Sequence, residues 1–149
     1  MSNLTYNQIK QIFNDISDDH YQLHNFGSGM VEDINTMTGN GIYSFPMLWI
    51  VPQQVTFNDN TKIFKIRVLV LDQDRADDTY RDDILSDTLS IMGDVLINFR
   101  TASFDYDVIG QTTALPIVQA FGDYVSGWYS DLDIETDFNI TNDCDLPED

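Results

Sequence analysis

Along TKIFKIRVLVLDQD, residues 61–74, side chains alternate with the two-residue period of an extended strand. Phe64, Ile66, Val68 and Val70 fall on one face; Ile63, Leu69 and Leu71 share the other with Lys65 and Arg67. Apolar residues on both faces predict a central strand, covered at least partly on each side. After the polar break RADDT the period changes. In YRDDILSDTLSIMGDVLINFR, residues 80–100, Ile84, Thr88, Ile91 and Val95 form one row. Leu85, Leu89, Met92, Leu96 and Phe99 form the next, while Asp83, Asp87, Ser90 and Asp94 face away. That spacing predicts an amphipathic helix. Thr79 with Asp82 three positions later resembles a capping box in which Asp replaces Glu. The centre of the predicted fold is therefore a strand that turns and lays a helix back over its own sheet. No reactive group is evident in that unit.

The flanks read more simply. Residues 4–18 predict a short amphipathic helix with Leu4, Ile9, Ile12, Phe13 and Ile16 turned inward, broken at Asp18 and Asp19. Tyr21–Asn35 reads as extended, with Gly27 and Gly29 allowing a bend or bulge. Thr38–Gly41, TGNG, predicts a turn, because Gly and Asn tolerate positive φ. Tyr43–Pro52 is an apolar strand with Pro46 near its start and Pro52 as its end; Phe57–Asn60 is the next turn. Residues 101–113 lack a period and predict a loop, 113–121 and 125–138 predict strands, and 139–149 an irregular acidic tail. In the last strand Trp128, Leu132 and Ile134 share a face opposite Asp131, Asp133 and Glu135. One domain spanning 1–149 follows. It is α+β, with a mostly antiparallel sheet of about five strands, a long helix across it and a short N-terminal helix. The step from the central strand through the helix is a crossover if the strands it joins are parallel neighbours.

Charge changes the picture more than composition does. Seven Lys and Arg oppose 25 Asp and Glu, a formal net charge of −18, and beyond Arg100 there are eleven acidic residues and no cation. Such a surface repels phosphate backbones, which argues against specific DNA binding and against an anionic membrane. The lone Cys144 forms no internal disulfide, and its acidic setting raises a thiol pKa rather than activating it. No apolar run approaches a membrane span and the N-terminus lacks a signal-peptide core, so a cytosolically made, soluble protein is expected.

Candidate chemistry is thin. His20 and His24 stand four apart near Asp18 and Asp19, a spacing that suits a metal on a helix, but the helical pattern fades there and no HExxH accompanies it. Asp72, Asp74, Asp77, Asp78, Asp82 and Asp83 are dense, yet an EF-hand loop counted from Asp72 has Asp77 where Gly belongs and Asp83 where Glu belongs. Acid at a helix start is explained by the dipole. GIY at Gly41–Tyr43 opens a nuclease motif that nothing completes, and no nucleophilic triad order, P-loop or GxGxxG occurs. No catalytic, cofactor or metal residue is therefore assigned. Trp49 and Trp128 read as core or interface anchors. Lys65 and Arg67 pair either with carboxylates of their own subunit or across a subunit boundary. Lys65, Arg67, Trp128 and Tyr129 are the candidate subunit-interface residues.

Five segments together carry a resemblance: YSFPMLWIVPQQV, FKIRVLVLDQD, DDILSDTLSIMGDVLINF, VSGWYSDLDIETDFN and a closing CDLP. Across Tyr43 to Pro147 the chain resembles small structural proteins in the tail modules of phages of Bacteroides-type bacteria, crAss-like phages among them. It is similar in plan to the tail-terminator and tail-completion family, whose α+β proteins assemble as rings at the head–tail junction. The resemblance implies a non-enzymatic virion protein of the neck or tail, assembled in the host cytoplasm as a ring of six or twelve copies. Portal, connector or tail rings would be its neighbours, DNA would pass without specific binding, and no membrane or cofactor would be involved. Thr36–Gly41 and Ala102–Thr112 would be arms to adjacent rings. Two other classes stay open: a small acidic partner-binding protein such as a DNA mimic or inhibitor, and a metal-dependent hydrolase built on Asp72–Asp83.

Overall fold

The structure, a computed structural model, describes residues 4–30, 45–73, 80–103, 105–120 and 125–137. Along the chain run α1 (Tyr6–Asp19), β1 (Asn25–Ser28), β2 (Met47–Phe57), β3 (Thr61–Gln73) and α2 (Arg81–Thr101). They are followed by β4 (Asp107–Ile109), β5 (Ala114–Ala120) and β6 (Val125–Asp137). The architecture is α+β: a six-stranded, mostly antiparallel sheet with the two described helices on one side. Strand order is β1-β2-β3-β6-β4, and β5 pairs with β6 above β4 on the same margin. β3 is central, antiparallel to β2 and β6 along its length.

The alternation in β3 sorts the core. Phe64, Ile66, Val68 and Val70 join Leu48, Ile50, Leu132 and Ile134 beneath Ile9 and Phe13 of α1 and Ile91, Met92, Val95 and Phe99 of α2. Phe99 is stacked between Phe13, at a centroid distance of 4.2 Å, and Tyr106, at 4.6 Å. The Tyr106 hydroxyl donates to the Phe99 carbonyl, and its burial pushes the phenol pKa well up. At the N-terminus Thr5 and Gln8 form a reciprocal capping box, and the Leu4 N–H donates to Thr136 Oγ1 at 3.2 Å. Thr136 Oγ1 in turn donates to the Asp105 carbonyl at 3.0 Å. One hydroxyl thus ties the start of the chain to β6 and to the approach to β4.

Several expectations are corrected. Pro52 does not end its strand: β2 continues to Phe57, with a register shift between Pro52 and Gln54 that absorbs the missing N–H. The following turn is therefore Asn58–Asn60, closed by Asn58 N–H to the Thr61 carbonyl at 2.8 Å. α2 is capped at Tyr80 with no side-chain cap bond, so the box expected from Thr79 does not start the helix; Thr79 itself lies outside the described residues. Leu89, placed in an apolar row, is exposed because α2 buries a narrower stripe through Thr88, Ile91, Met92, Val95 and Phe99. The stretch 101–113 holds β4, too short for a period to show. The parallel-neighbour crossover fails, since both neighbours of β3 are antiparallel; α2 leads to β4, which runs parallel to β3 with β6 between them. Among the described strands, the parallel neighbours are β1 and β2. The readings at Thr38–Gly41, Gly41–Tyr43, Asp74–Asp78 and 139–149, Cys144 included, lie outside the described residues.

Two glycines fit because nothing larger could. A Cβ at Gly127 would stand 1.9 Å from the Val70 carbonyl oxygen, and one at Gly27 would stand 2.3 Å from the Trp49 ring.

Candidate interaction surface

Odd-numbered residues of β3 and β6 point away from the helices. At one end of that face Met47, Trp49, Val51, Leu69, Leu71 and Val125 are buried, with Tyr129 half-buried beside them. At the other end the face is charged. Register sets Arg67 opposite Asp131, Lys65 opposite Asp133 and Ile63 opposite Glu135. The acids recur at every second residue of β6, so cation and carboxylate columns stand side by side.

Arg67 pairs within its own chain. Its Nε donates to Asp131 Oδ1 at 2.8 Å and its Nη2 to Oδ2 at 3.1 Å, a bidentate grip. The guanidinium carbon also lies 4.5 Å from the centre of the Tyr129 ring. The hydrogen bond to Asp131 raises the Arg67 pKa further, against a smaller opposing effect of burial. Both side chains are about a third exposed, so the pair stabilises the fold by only about 0–1 kcal/mol. Lys65 differs: among the described residues it makes no ion pair, although Asp133 is its register partner.

Three of the four candidate interface residues therefore share this face. Trp128 does not. It lies on the helix-bearing face, half-buried, with its indole N–H donating to the Leu85 carbonyl at 2.8 Å. Trp49 is buried on the open face and donates to the Gly29 carbonyl at 3.3 Å.

The histidines part company. His20 Nε2 lies 3.0 Å from Asp94 Oδ2, joining α1 to α2, whereas His24 is exposed and its backbone N–H donates to the Pro46 carbonyl. No group of three or more His, Cys, Asp or Glu that could hold a metal occurs among the described residues. Asp72 sits on the helix side with its pKa raised, chiefly by burial and, less, by Asp87; the Gln73 N–H and His24 oppose this. Asp82 and Asp83 occupy the first turn of α2, as acid at a helix start should. No described helix is long and apolar enough to cross a membrane.

The sequence reading missed two features. Asp131 as the partner of Arg67 needed register, which no local pattern supplies. The margin of β2 beyond Pro52 was hidden by reading that proline as a stop, although VTF continues the alternation. Searches against protein-family models and against curated proteins found no match to this chain.

Proposed function

We propose that the protein is a structural subunit of a phage virion, one copy in a homo-oligomeric ring at the head–tail junction or in the tail barrel. The observation that carries this reading is the unequal charge of the two halves of the sheet. Residues 47–73, the β2–β3 hairpin, hold three cations, all on the central strand β3, and two carboxylates. The described residues of 103–137, the other half, hold six acidic residues and no cation. Copies that set the open face of one half against the opposite half of a neighbour bring unlike charges together, whereas like halves repel; head-to-tail contacts of this kind close into rings. We assign that contact to Lys65 on the open face, Arg67 being engaged by Asp131. An acidic bore would let DNA phosphates slide without gripping them. In the ring, neighbouring portal, connector or tail proteins would stack above and below.

Subunits of charge −18 also repel one another at long range, and salt screens that repulsion over about 10 Å at 0.1 M while close pairs persist. Assembly should therefore strengthen as salt or divalent cation is raised. Mass photometry and negative-stain imaging across an ionic-strength series test this, with Lys65→Glu expected to shift the population toward smaller species. A ring that forms best at very low salt, or a wild-type chain that stays monomeric throughout, contradicts the reading.

A second reading rests on Asp131, Asp133 and Glu135, carboxylates spaced about 7 Å apart on one face of β6. Such a row suits a small acidic protein that occupies a DNA-binding protein's cationic cleft. A monomer that binds such a partner would favour it.

A further inference from the structure

α2 carries apolar residues on two faces. Thr88, Ile91, Met92, Val95 and Phe99 close the core, yet Leu89 and Ile97 on the outer side are 44% and 65% exposed. Ser86, Ser90, Gly93 and Ile97 run along that outer side at i, i+4, i+7 and i+11, positions that stack on one face of a helix. Ser86 and Ser90 are exposed, and a Cβ at Gly93 would meet nothing within 4 Å among the described residues. In a chain of −18, this midline carries no charge between Asp83 and Arg100. Its ends are unlike. Asp82 and Asp83 stand in the first turn, and Arg100 in the last, its Nη1 donating to the Val108 carbonyl at 3.3 Å.

These positions are symmetric along the helix. About the level midway between Ile91 and Met92, Ser86 mirrors Ile97, Ser90 mirrors Gly93 and Asp83 mirrors Arg100. A second, antiparallel α2 related by a two-fold at that level therefore sets bulk against small residues and cation against carboxylate. Ile97 lies level with the partner's Ser86, Ser90 with the partner's Gly93, and Arg100 with the first turn that holds the partner's Asp82 and Asp83. The small residues at the centre let the two axes approach to about 8–10 Å. Leu89 and the half-buried Leu96, on the flank where the Leu85 carbonyl meets Trp128, add apolar area at the rim. The opposite flank is a like-charge edge. There Asp87 comes near the partner's Asp94, a residue that in its own chain lies 3.0 Å from His20 Nε2. Salt screens that edge more than it weakens the close pairs and the apolar contact.

We infer that the outer face of α2 is a docking surface for a second copy of the same chain, packed α2 against α2, antiparallel, across a two-fold axis. The charge at the helix ends fixes the direction. A parallel pair sets Arg100 on Arg100 and the first-turn acids on their own kind, whereas the antiparallel pair joins unlike ends at both extremes. The contact is isologous and lies on the side of the sheet away from Lys65, so it does not depend on the head-to-tail ring proposed above. A chain with both contacts builds rings joined in pairs.

The test uses the full chain, as Gly93→Gln, as Ile97→Lys and, in a Cys144→Ser background, as Ser86→Cys with Ile97→Cys. Gly93→Gln replaces a poor helix former where its own chain leaves room, so the melting temperature should hold or rise. Sedimentation velocity over a concentration series should show the dissociation constant of the pair weakened at least about tenfold in that variant and in Ile97→Lys. The two introduced thiols are about 16 Å apart along one helix, too far to bridge within a chain, so mild oxidation should yield a covalent pair. Lys65→Glu should break the ring contact and leave two-fold pairs, which separates the two proposals. The inference is overturned by association unchanged in either Gly93→Gln or Ile97→Lys, by double-cysteine chains that associate yet do not crosslink, or by a Lys65→Glu chain monomeric at every concentration. An Ile97→Lys chain that melts lower leaves Gly93→Gln to decide.

Discussion

The two faces of the sheet use the same strands for different ends. On the helix side, β3 contributes Phe64, Ile66, Val68 and Val70 to a layer that α1 and α2 close, with Phe99 stacked between two other rings. On the far side, the same strand contributes Lys65 and Arg67 to a half-exposed ladder with Asp131 and Asp133. Removing apolar area from water is worth about 25 cal/mol per Å², whereas a solvent-screened ion pair is worth about 0–1 kcal/mol. Stability therefore rests mainly on one face, and the charged part of the other can be spent on contacts with other molecules.

Three substitutions probe that division, from the largest effect to the smallest. Phe99→Ala should destabilise the fold by about 3–5 kcal/mol, since it empties the middle of the aromatic stack and leaves a cavity under α2. Denaturant unfolding measures this; a cost below about 1 kcal/mol would mean the helices are not the main cover. Arg67→Met should cost no more than about 1 kcal/mol by the same measurement while leaving the secondary structure intact. A loss of several kcal/mol would show that the ladder is structural and break the comparison. Asp72 tests the rim of the helix face. Its raised pKa means the folded state favours the protonated acid. Any stability from that preference is full below the ordinary value of 3.8 and fades as pH rises through the folded pKa. Asp72→Asn should therefore raise the melting temperature slightly near neutrality and leave it unchanged at pH 3; an equal shift at both values would exclude a charge effect.

What could be read from the chain beforehand follows the same line. β3, α1 and the alternation in β6 were legible because one-sided burial imposes a period, and Phe64 to Val70 or Trp128 to Ile134 display it directly. β4 was not, because three residues hold too little pattern, and its existence depends on Asp133–Glu135 lying alongside. β2 was cut short at Pro52 because a bulge that accommodates proline depends on the partner strand and not on the local sequence. For the candidate surface, residue type pointed to Lys65 and Arg67 as scarce cations. Only register showed that Arg67 is already held by Asp131. That Trp128 lies on the face opposite Tyr129 follows from the alternation alone, but its bond to the Leu85 carbonyl does not.

β6 has a consequence for how the molecule comes into being. It pairs with β3, β4 and β5, yet it leaves the ribosome after all of them. Until it arrives, β4 and β5 have no neighbour among the described strands, and β3 keeps one flank bare. The Leu4 N–H likewise waits for a hydroxyl 132 residues downstream. Closure of the sheet is thus an event of long sequence separation, the kind that slows folding and leaves a nascent chain exposed to its siblings on crowded polysomes.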